Sequence, residues 1–230
     1  IGYFKKQSAL ARFIFLFSGQ EPKKTIWALK KISFSADSQE IIGIIGKNGS
    51  GKSTLLRTIA GVYDSTHGRI ITNGKVVSLL QLKKGIPSQL TMMDNLYFIA
   101  SLFGLTQKEI KNKFNSIVEF AGLGDFIHTK TYQISEGMKQ RLLFSIGVHC
   151  EPKILLLDEI FEIGDEGFKI KGTNKIKELI ENGATVLLVS HNLDLIEKHC
   201  NRTIWIENGK IKRQGASSEI VGEYKKANAA

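Results

Sequence analysis

Gly46-Lys47-Asn48-Gly49-Ser50-Gly51-Lys52-Ser53 matches G-x-x-x-x-G-K-[ST], a loop whose backbone N–H groups cradle phosphates. A strand-like run, Ile41-Ile42-Gly43-Ile44-Ile45, leads into it, and a helix-like run, Ser53 to Ala60, leaves it. Glycine lets successive N–H groups turn toward one anion, and the helix N-terminus adds its positive dipole end. The pattern makes Gly46, Lys47, Asn48, Gly49, Ser50, Gly51, Lys52, Ser53 and Thr54 candidate nucleotide-binding residues. Lys52 is expected to reach the β- and γ-phosphates, and the Ser53 hydroxyl to hold Mg²⁺. The alternative is a Gly-rich turn that binds nothing, and the strand–loop–helix setting argues against it.

The chain has 230 residues, a length that suits one large α/β domain or a core with an inserted subdomain. Hydrophobic residues make up 42%, enough for a sizeable buried core. No run approaches the ~18–20 apolar residues of a membrane-spanning helix. The net charge of +10 favours nucleic acid, an anionic membrane face or a polyanionic ligand. Before residue 32, Lys5, Lys6, Arg12, Lys23, Lys24, Lys30 and Lys31 stand against Glu21. No RNA-binding signature or aromatic-interleaved basic stripe accompanies them, so the reading is a membrane-facing basic end and no nucleic-acid partner. Cys150 and Cys200 lack metal-ligand spacing and read as buried thiols in a reducing compartment. No secretory signal is visible, and the chain opens on Ile1, so a trimmed start on the cytoplasmic side is expected.

Along the chain, residues 26–34, Gly68–Thr72 and Val76–Leu80 read as strands, the last two around the turn dipeptide Asn73-Gly74. Lys83–Leu90 is a connector, and Met92–Phe103, Gln107–Ala121 and Met138–His149 read as helices. Ile110, Phe114, Ile117, Val118 and Ala121 share one helical face. Ile154–Leu157 and Thr185–Val189 read as buried strands, with helices Phe168–Asn182 and Leu193–Cys200 between and after them. Thr203–Glu207 and Lys210–Gln214 pair through Asn208-Gly209. A last helix spans about Ser218–Lys226, with Ser217 or Ser218 as its N-cap.

A second acidic motif, Ile154-Leu155-Leu156-Leu157-Asp158-Glu159, is an apolar strand ending in two carboxylates. A buried parallel strand delivers such groups to the carboxyl edge of a sheet, where ligands bind. Asp158 is expected to hold Mg²⁺ through water, and Glu159 to act as general base on the attacking water. Acids after a strand also cap the next helix, and for Glu159 that alternative stays open.

With these motifs in this order, the chain resembles the nucleotide-binding subunit of an ABC transporter over nearly its whole length. Ile134-Ser135-Glu136-Gly137-Met138 is similar to that family's L-S-G-G-Q signature. The resemblance implies that Ser135, Glu136, Gly137 and Met138 form the signature used in trans, with Ser135 and the Gly137 N–H contacting the γ-phosphate of ATP held by a second copy and Glu136 pointing outward as a helix-start acid. His191, after Val189-Ser190, looks like the switch histidine, and it joins Glu159 and Lys52 as a candidate catalytic residue. Gln81 is the candidate glutamine that touches Mg²⁺ and joins the core to the helical region. Tyr3 is the candidate adenine-stacking aromatic, with Phe4 as the alternative. The implied fold is α/β: a P-loop NTPase core of residues 1–82 and 151–230, an antiparallel β subdomain, and an inserted helical subdomain at 83–150.

After the acidic pair comes Ile160-Phe161-Glu162-Ile163-Gly164-Asp165-Glu166-Gly167-Phe168. It is similar to the G-D-x-x-F variant of polysaccharide exporters that handle O-antigen, capsule or teichoic acid. Trp27-Ala28-Leu29 and the long stretch between Tyr3 and Trp27 fit that branch too. Within it, Ala9–Phe17 is too short to span a bilayer, and packing at a membrane interface or in the core both stay open. The resemblance implies an ATPase with ATP and Mg²⁺ as cofactors, at the cytoplasmic face of the membrane. Its implied partners are a second copy in a head-to-tail sandwich, transmembrane permease subunits and a lipid-linked polysaccharide. Another cargo, or a soluble ATPase acting on ribosomes or DNA, are the competing readings.

Overall fold

A computed structural model describes residues 27–80, 86–158 and 164–228 of the chain. The expectations placed on Tyr3, Phe4, Gln81, Glu159 and segment 9–17 lie outside the described residues. Six strands form one sheet in the order β2-β3-β4-β1-β5-β6: β1 (Ile41–Ile45), β2 (Val76–Ser78), β3 (Ile154–Asp158), β4 (Thr185–Val189), β5 (Arg202–Glu207) and β6 (Lys210–Ala216). All neighbours are parallel except β5 with β6. The helices are α1 (Lys52–Ile59), α2 (Met92–Leu102), α3 (Gln107–Ala121), α4 (Glu136–His149), α5 (Glu166–Glu181), α6 (Leu193–His199) and α7 (Ser217–Asn228). Between β2 and β3 the described chain holds α2, α3 and α4 with two short 3₁₀ turns and no strand.

The near-continuous apolar runs of β1, β3 and β4 follow from burial on both faces of a parallel sheet. Alternation then divides them. Ile42, Ile44, Leu156, Leu187 and Val189 pack with Leu55 and Leu56 of α1. Ile45, Leu155, Leu157, Val186 and Leu188 face the other way, in a core shared with α4 and α5. Gly43 lies between Ile41 and Ile45 on that second face, and a Cβ there would sit 2.7 Å from Ile196 Cγ2. A side chain at 43 would therefore push α6 off the sheet. Both cysteines are buried, which pushes the Cys150 thiol to about 11 and the Cys200 thiol to about 12.

The helices start where short polar side chains take their first free N–H groups. Thr91 with Asp94 and Thr106 with Glu109 close capping boxes on α2 and α3. Ser135, Asp165 and Asn192 cap α4, α5 and α6.

Three local expectations are corrected. Residues 28–34 form no strand: Lys31 takes a left-handed φ of 51°, and Lys30 N–H donates to the Gly209 carbonyl in a turn rather than to a ladder. Gly68–Thr72 also forms no strand, and Ile71 is 71% exposed. Among the described residues antiparallel strand pairing is that of β5 with β6, on the edge of the sheet, besides one isolated bridge between Thr91 and Lys130. Finally, neither Ser217 nor Ser218 precedes α7, since β6 runs directly into it and Ser217 is its first residue. The Ser217 hydroxyl instead accepts a hydrogen bond from Thr203 Oγ1 at 2.8 Å.

The entry to β1 is tied to β5 by Arg202, whose Nε donates to Glu40 Oε1 at 2.8 Å and whose Nη2 donates to the Ser35 carbonyl at 2.6 Å. The Arg202 hydrogen bond holds the Glu40 carboxyl below the usual carboxylate range. A folded pKa below the unfolded one stabilises the fold at neutral pH, and the contribution disappears as pH falls through the carboxylate range. Glu40→Gln should therefore cost about 1 kcal/mol at pH 7, reduced by solvent screening, and less at pH 3, since the contribution is lost as pH falls through the lowered folded pKa. Urea titrations at the two pH values check this.

Candidate nucleotide site

Register brings three strand ends together. Asp158, the last residue of β3, is level with Val189 at the end of β4, and Val189 is level with Ile44 of β1. The loop that follows β1 and the Ser190-His191 turn that follows β4 therefore open on the same sheet edge as Asp158. This is the carboxyl edge, where parallel α/β sheets take their ligands. A cleft of about 330 Å³ lies there, lined by Ala28, Asn48, Gly49, Gly51, Lys52, Ser53, Thr54, Asp158, Val189 and His191.

The loop's glycines are required by geometry. Gly46 has φ 150°, and a Cβ there would lie 2.2 Å from the Ile206 carbonyl oxygen. Gly51 has φ 112° and serves as N-cap of α1 in a left-handed conformation; its Cβ would meet Leu29 Cδ2 at 2.8 Å. Gly49 has φ 76° and open space around it, so backbone conformation rather than crowding demands glycine there. Lys52 is only 7% exposed, and its Nζ donates to the carbonyls of Gly46 at 2.6 Å and Lys47 at 3.1 Å. Those bonds fold the lysine back along its own loop, so the ammonium lies against the loop's first two carbonyls. Ser53 and Asp158 bring a hydroxyl and a carboxylate to the same cleft, an oxygen donor set that suits Mg²⁺.

Thus Asn48, Gly49, Gly51, Lys52, Ser53, Thr54, Asp158 and His191 share one cleft, and Gly46, Lys47 and Ser50 complete the loop behind it. The residues of the signature-like stretch do not line it. Ser135 Oγ accepts from Met138 N–H at 3.3 Å at the start of α4, and Gly137 has open space about its Cα. Glu136 is exposed and lies 3.7 Å from Lys139, turned outward as a helix-start acid. The Gly164-Asp165-x-x-Phe168 stretch has a structural reading too. Asp165 accepts from Phe168 N–H at 2.9 Å and pairs with Arg141 of α4, and the Arg141 guanidinium lies 5.2 Å from the Phe168 ring centre. The Phe168 N–H, and then Arg141, hold the Asp165 carboxyl below its ordinary range. The contribution of Arg141 was not legible from sequence.

Residues 29–162 match the family described as ABC transporter, more than half of the chain. This chain belongs to the ABC transporter family. It is an ABC-type ATPase with a P-loop fold. The ABC ATPase is 40% identical over 202 residues to an O-antigen export system ATP-binding protein of Klebsiella pneumoniae, covering 88% of this chain and 82% of that one. It is 41% identical over 209 residues to a teichoic acids export ATP-binding protein of Lactococcus lactis subsp. lactis, covering 91% of this chain and 45% of that one. Among solved structures it is similar to an ATP-binding subunit of an ABC transporter, with TM-score 0.75, 24% identity and 92% of each chain covered. A dimeric ATP-binding cassette in a post-hydrolysis state with ADP and Pi gives TM-score 0.74 at 22% identity, over 86% of this chain and 94% of that one. At these identities the two structures speak for the fold alone.

Proposed function

We propose that this ABC ATPase powers export of a lipid-linked polysaccharide from the cytoplasmic face of a membrane. The observation that carries the reading is the pair of relatives named for O-antigen and teichoic acid export, each about two-fifths identical over about nine-tenths of this chain. The Gly164-Asp165-x-x-Phe168 stretch supports it by its similarity to the variant of polysaccharide exporters, and here it holds the start of α5 against α4.

In this reading the loop N–H groups and Lys52 bind and orient the phosphates of ATP, while Ser53, Asp158 and Gln81 hold Mg²⁺. Bound there, Mg²⁺ would supply neutralisation of the charge on the phosphates. Glu159 takes the proton of the attacking water and His191 contacts the γ-phosphate. Ser135 and Gly137 of a second copy close over the nucleotide from the other side, consistent with their lying away from their own cleft. Tyr3 stacks on the base. Positioning and charge neutralisation lower the barrier, not covalent chemistry. Among the described residues no helix is long and apolar enough to cross a membrane. In this reading transport is carried out together with transmembrane permease subunits. Phe98 (44% exposed) and Leu102 (66% exposed), one turn apart on α2, give the helical region an apolar surface for them.

The test is purification of the tagged chain from its native membranes in mild detergent, with mass spectrometry of what accompanies it. A stoichiometric multi-spanning protein, and ATPase activity stimulated by lipid-linked polysaccharide, is the expected result. Recovery with ribosomes or DNA and no membrane protein would overturn the export reading and leave the ATPase intact.

A further inference from the structure

The turn between β5 and β6 is far from the phosphate loop in sequence and pressed against it in space. Gly209 N–H donates to the Ser50 carbonyl at 2.9 Å, and Lys30 N–H donates to the Gly209 carbonyl at 2.6 Å. Gly209 has φ 77°, and a Cβ on it would lie 2.5 Å from the Ala28 carbonyl oxygen and 3.3 Å from Leu29 Cα. That same Ala28 oxygen lies 2.9 Å from where a Cβ on Gly51 would be. At the loop's other end, the Ile206 carbonyl of β5 closes on Gly46. The hairpin thus touches the loop at its first glycine and again beside its last, with the 28–30 backbone wedged between turn and loop.

We propose that the hairpin tip, Asn208-Gly209, is a positioning element for the phosphate loop, and that Gly209 sets nucleotide affinity without touching the nucleotide. A loop that binds through backbone N–H groups works only in one conformation. Its internal bonds include Ser50 N–H to the Lys47 carbonyl and two from Lys52, all made within the loop itself. The hairpin supplies an external splint, rooted in the sheet through the β5–β6 ladder. A methyl group at 209 cannot be absorbed by a flexible side chain, because what it meets is backbone. Either the turn backs away and the bond to Ser50 opens, or residues 28–30 move and release Gly51. Each outcome frees the loop, and the ordering it then needs on binding weakens affinity.

This inference rests on the nucleotide-binding reading of the cleft. The experiment titrates ADP and ATP with Mg²⁺ into wild type, Gly209→Ala and Gly183→Ala, alongside thermal unfolding and steady-state turnover. Gly183 also has a left-handed φ of 91°, but its nearest neighbour to a Cβ is 3.6 Å away and it sits between α5 and β4, at the opposite sheet edge. It therefore reports backbone strain without contact to the loop. Gly209→Ala should bind ADP about tenfold or more weakly, with KM for ATP raised by more than kcat falls, while Gly183→Ala lowers Tm and keeps its affinity within about twofold. Equal ADP affinity in Gly209→Ala and wild type would overturn the proposal, as would an equal loss in both variants. Wild type that binds neither nucleotide would instead sink the nucleotide reading beneath it. If Gly209→Ala does not fold, hydrogen exchange on wild type decides. Added ADP should slow exchange at Gly209 N–H together with the loop amides, and an unchanged Gly209 rate would count against the splint.

Discussion

Replacing Lys52 with methionine should lower ATP turnover by roughly 10²–10³-fold, the effect of removing one preorganised donor from a phosphate transition state. Methionine keeps most of the stem, which matters because the lysine is only 7% exposed and its aliphatic part fills the floor of the cleft. What it removes is the charge and the Nζ donors now given to the Gly46 and Lys47 carbonyls. Two consequences separate in experiment. The carbonyls lose this donor, at a cost of about 1–3 kcal/mol of stability if no water replaces it. In the proposed role, the phosphates also lose an ammonium in a cleft where charge–charge attraction is larger than in water. Phosphate-release assays at saturating ATP, with urea denaturation of the same preparation, measure both. A folded variant that turns over within a few-fold of wild type would remove Lys52 from the phosphate role and shift the weight of binding to the loop N–H groups.

What could be read in advance followed the range of the forces involved. The Ile41–Ile45 run, its glycine loop and α1 are specified by neighbouring residues, and so are the buried runs of β3 and β4. The α3 helix was legible to the residue because Thr106, a capping glutamate three positions on, and Gly122 with φ 66° mark both ends locally. By contrast α4 starts at Glu136, two residues before the expected Met138, because Gly137 hides a helix whose onset is fixed by the Ser135 cap. Residues 28–34 alternate like a strand but give their backbone to the Gly209 turn, a contact the local pattern does not contain. The same holds for the site. Asp158 and His191 were placed by strand ends, which sequence shows. The pairing of Arg141 with Asp165, and the Gly209 splint, depend on how α4 meets α5 and how the hairpin meets the loop. Asn208-Gly209 was readable as a turn, but nothing local says what the turn touches.

Truncating Phe168 to alanine should destabilise the fold by about 3–5 kcal/mol, near the upper end for a large-to-small change. The ring is 6% exposed and meets Phe120 of α3 edge-on at 5.7 Å and Phe144 of α4 at 5.8 Å. Arg141 covers it with the guanidinium that also pairs with Asp165. Collapse into the space is restricted because the surrounding groups belong to two other helices, α3 and α4, and to Gly164, whose Cβ position is already 3.0 Å from Phe168 Cβ. The cavity would therefore remain largely open, and a residual cavity is what makes such substitutions costly. Arg141 would lose its ring contact while keeping Asp165, so a double-mutant cycle with Arg141→Met should return a coupling of about 0.5–1 kcal/mol. A loss below about 1 kcal/mol in urea titrations would mean that the helices close over the gap and that the cluster does not fix their spacing. The functional corollary follows from what each helix carries. The start of α4 holds Ser135 and Gly137, and α5 begins just beyond the acidic pair at the end of β3. A looser α4–α5 contact should thus lower ATP turnover more than nucleotide affinity, because the cleft is lined from the loop after β1, from α1 and from the ends of β3 and β4 rather than from the joint that Phe168 fills.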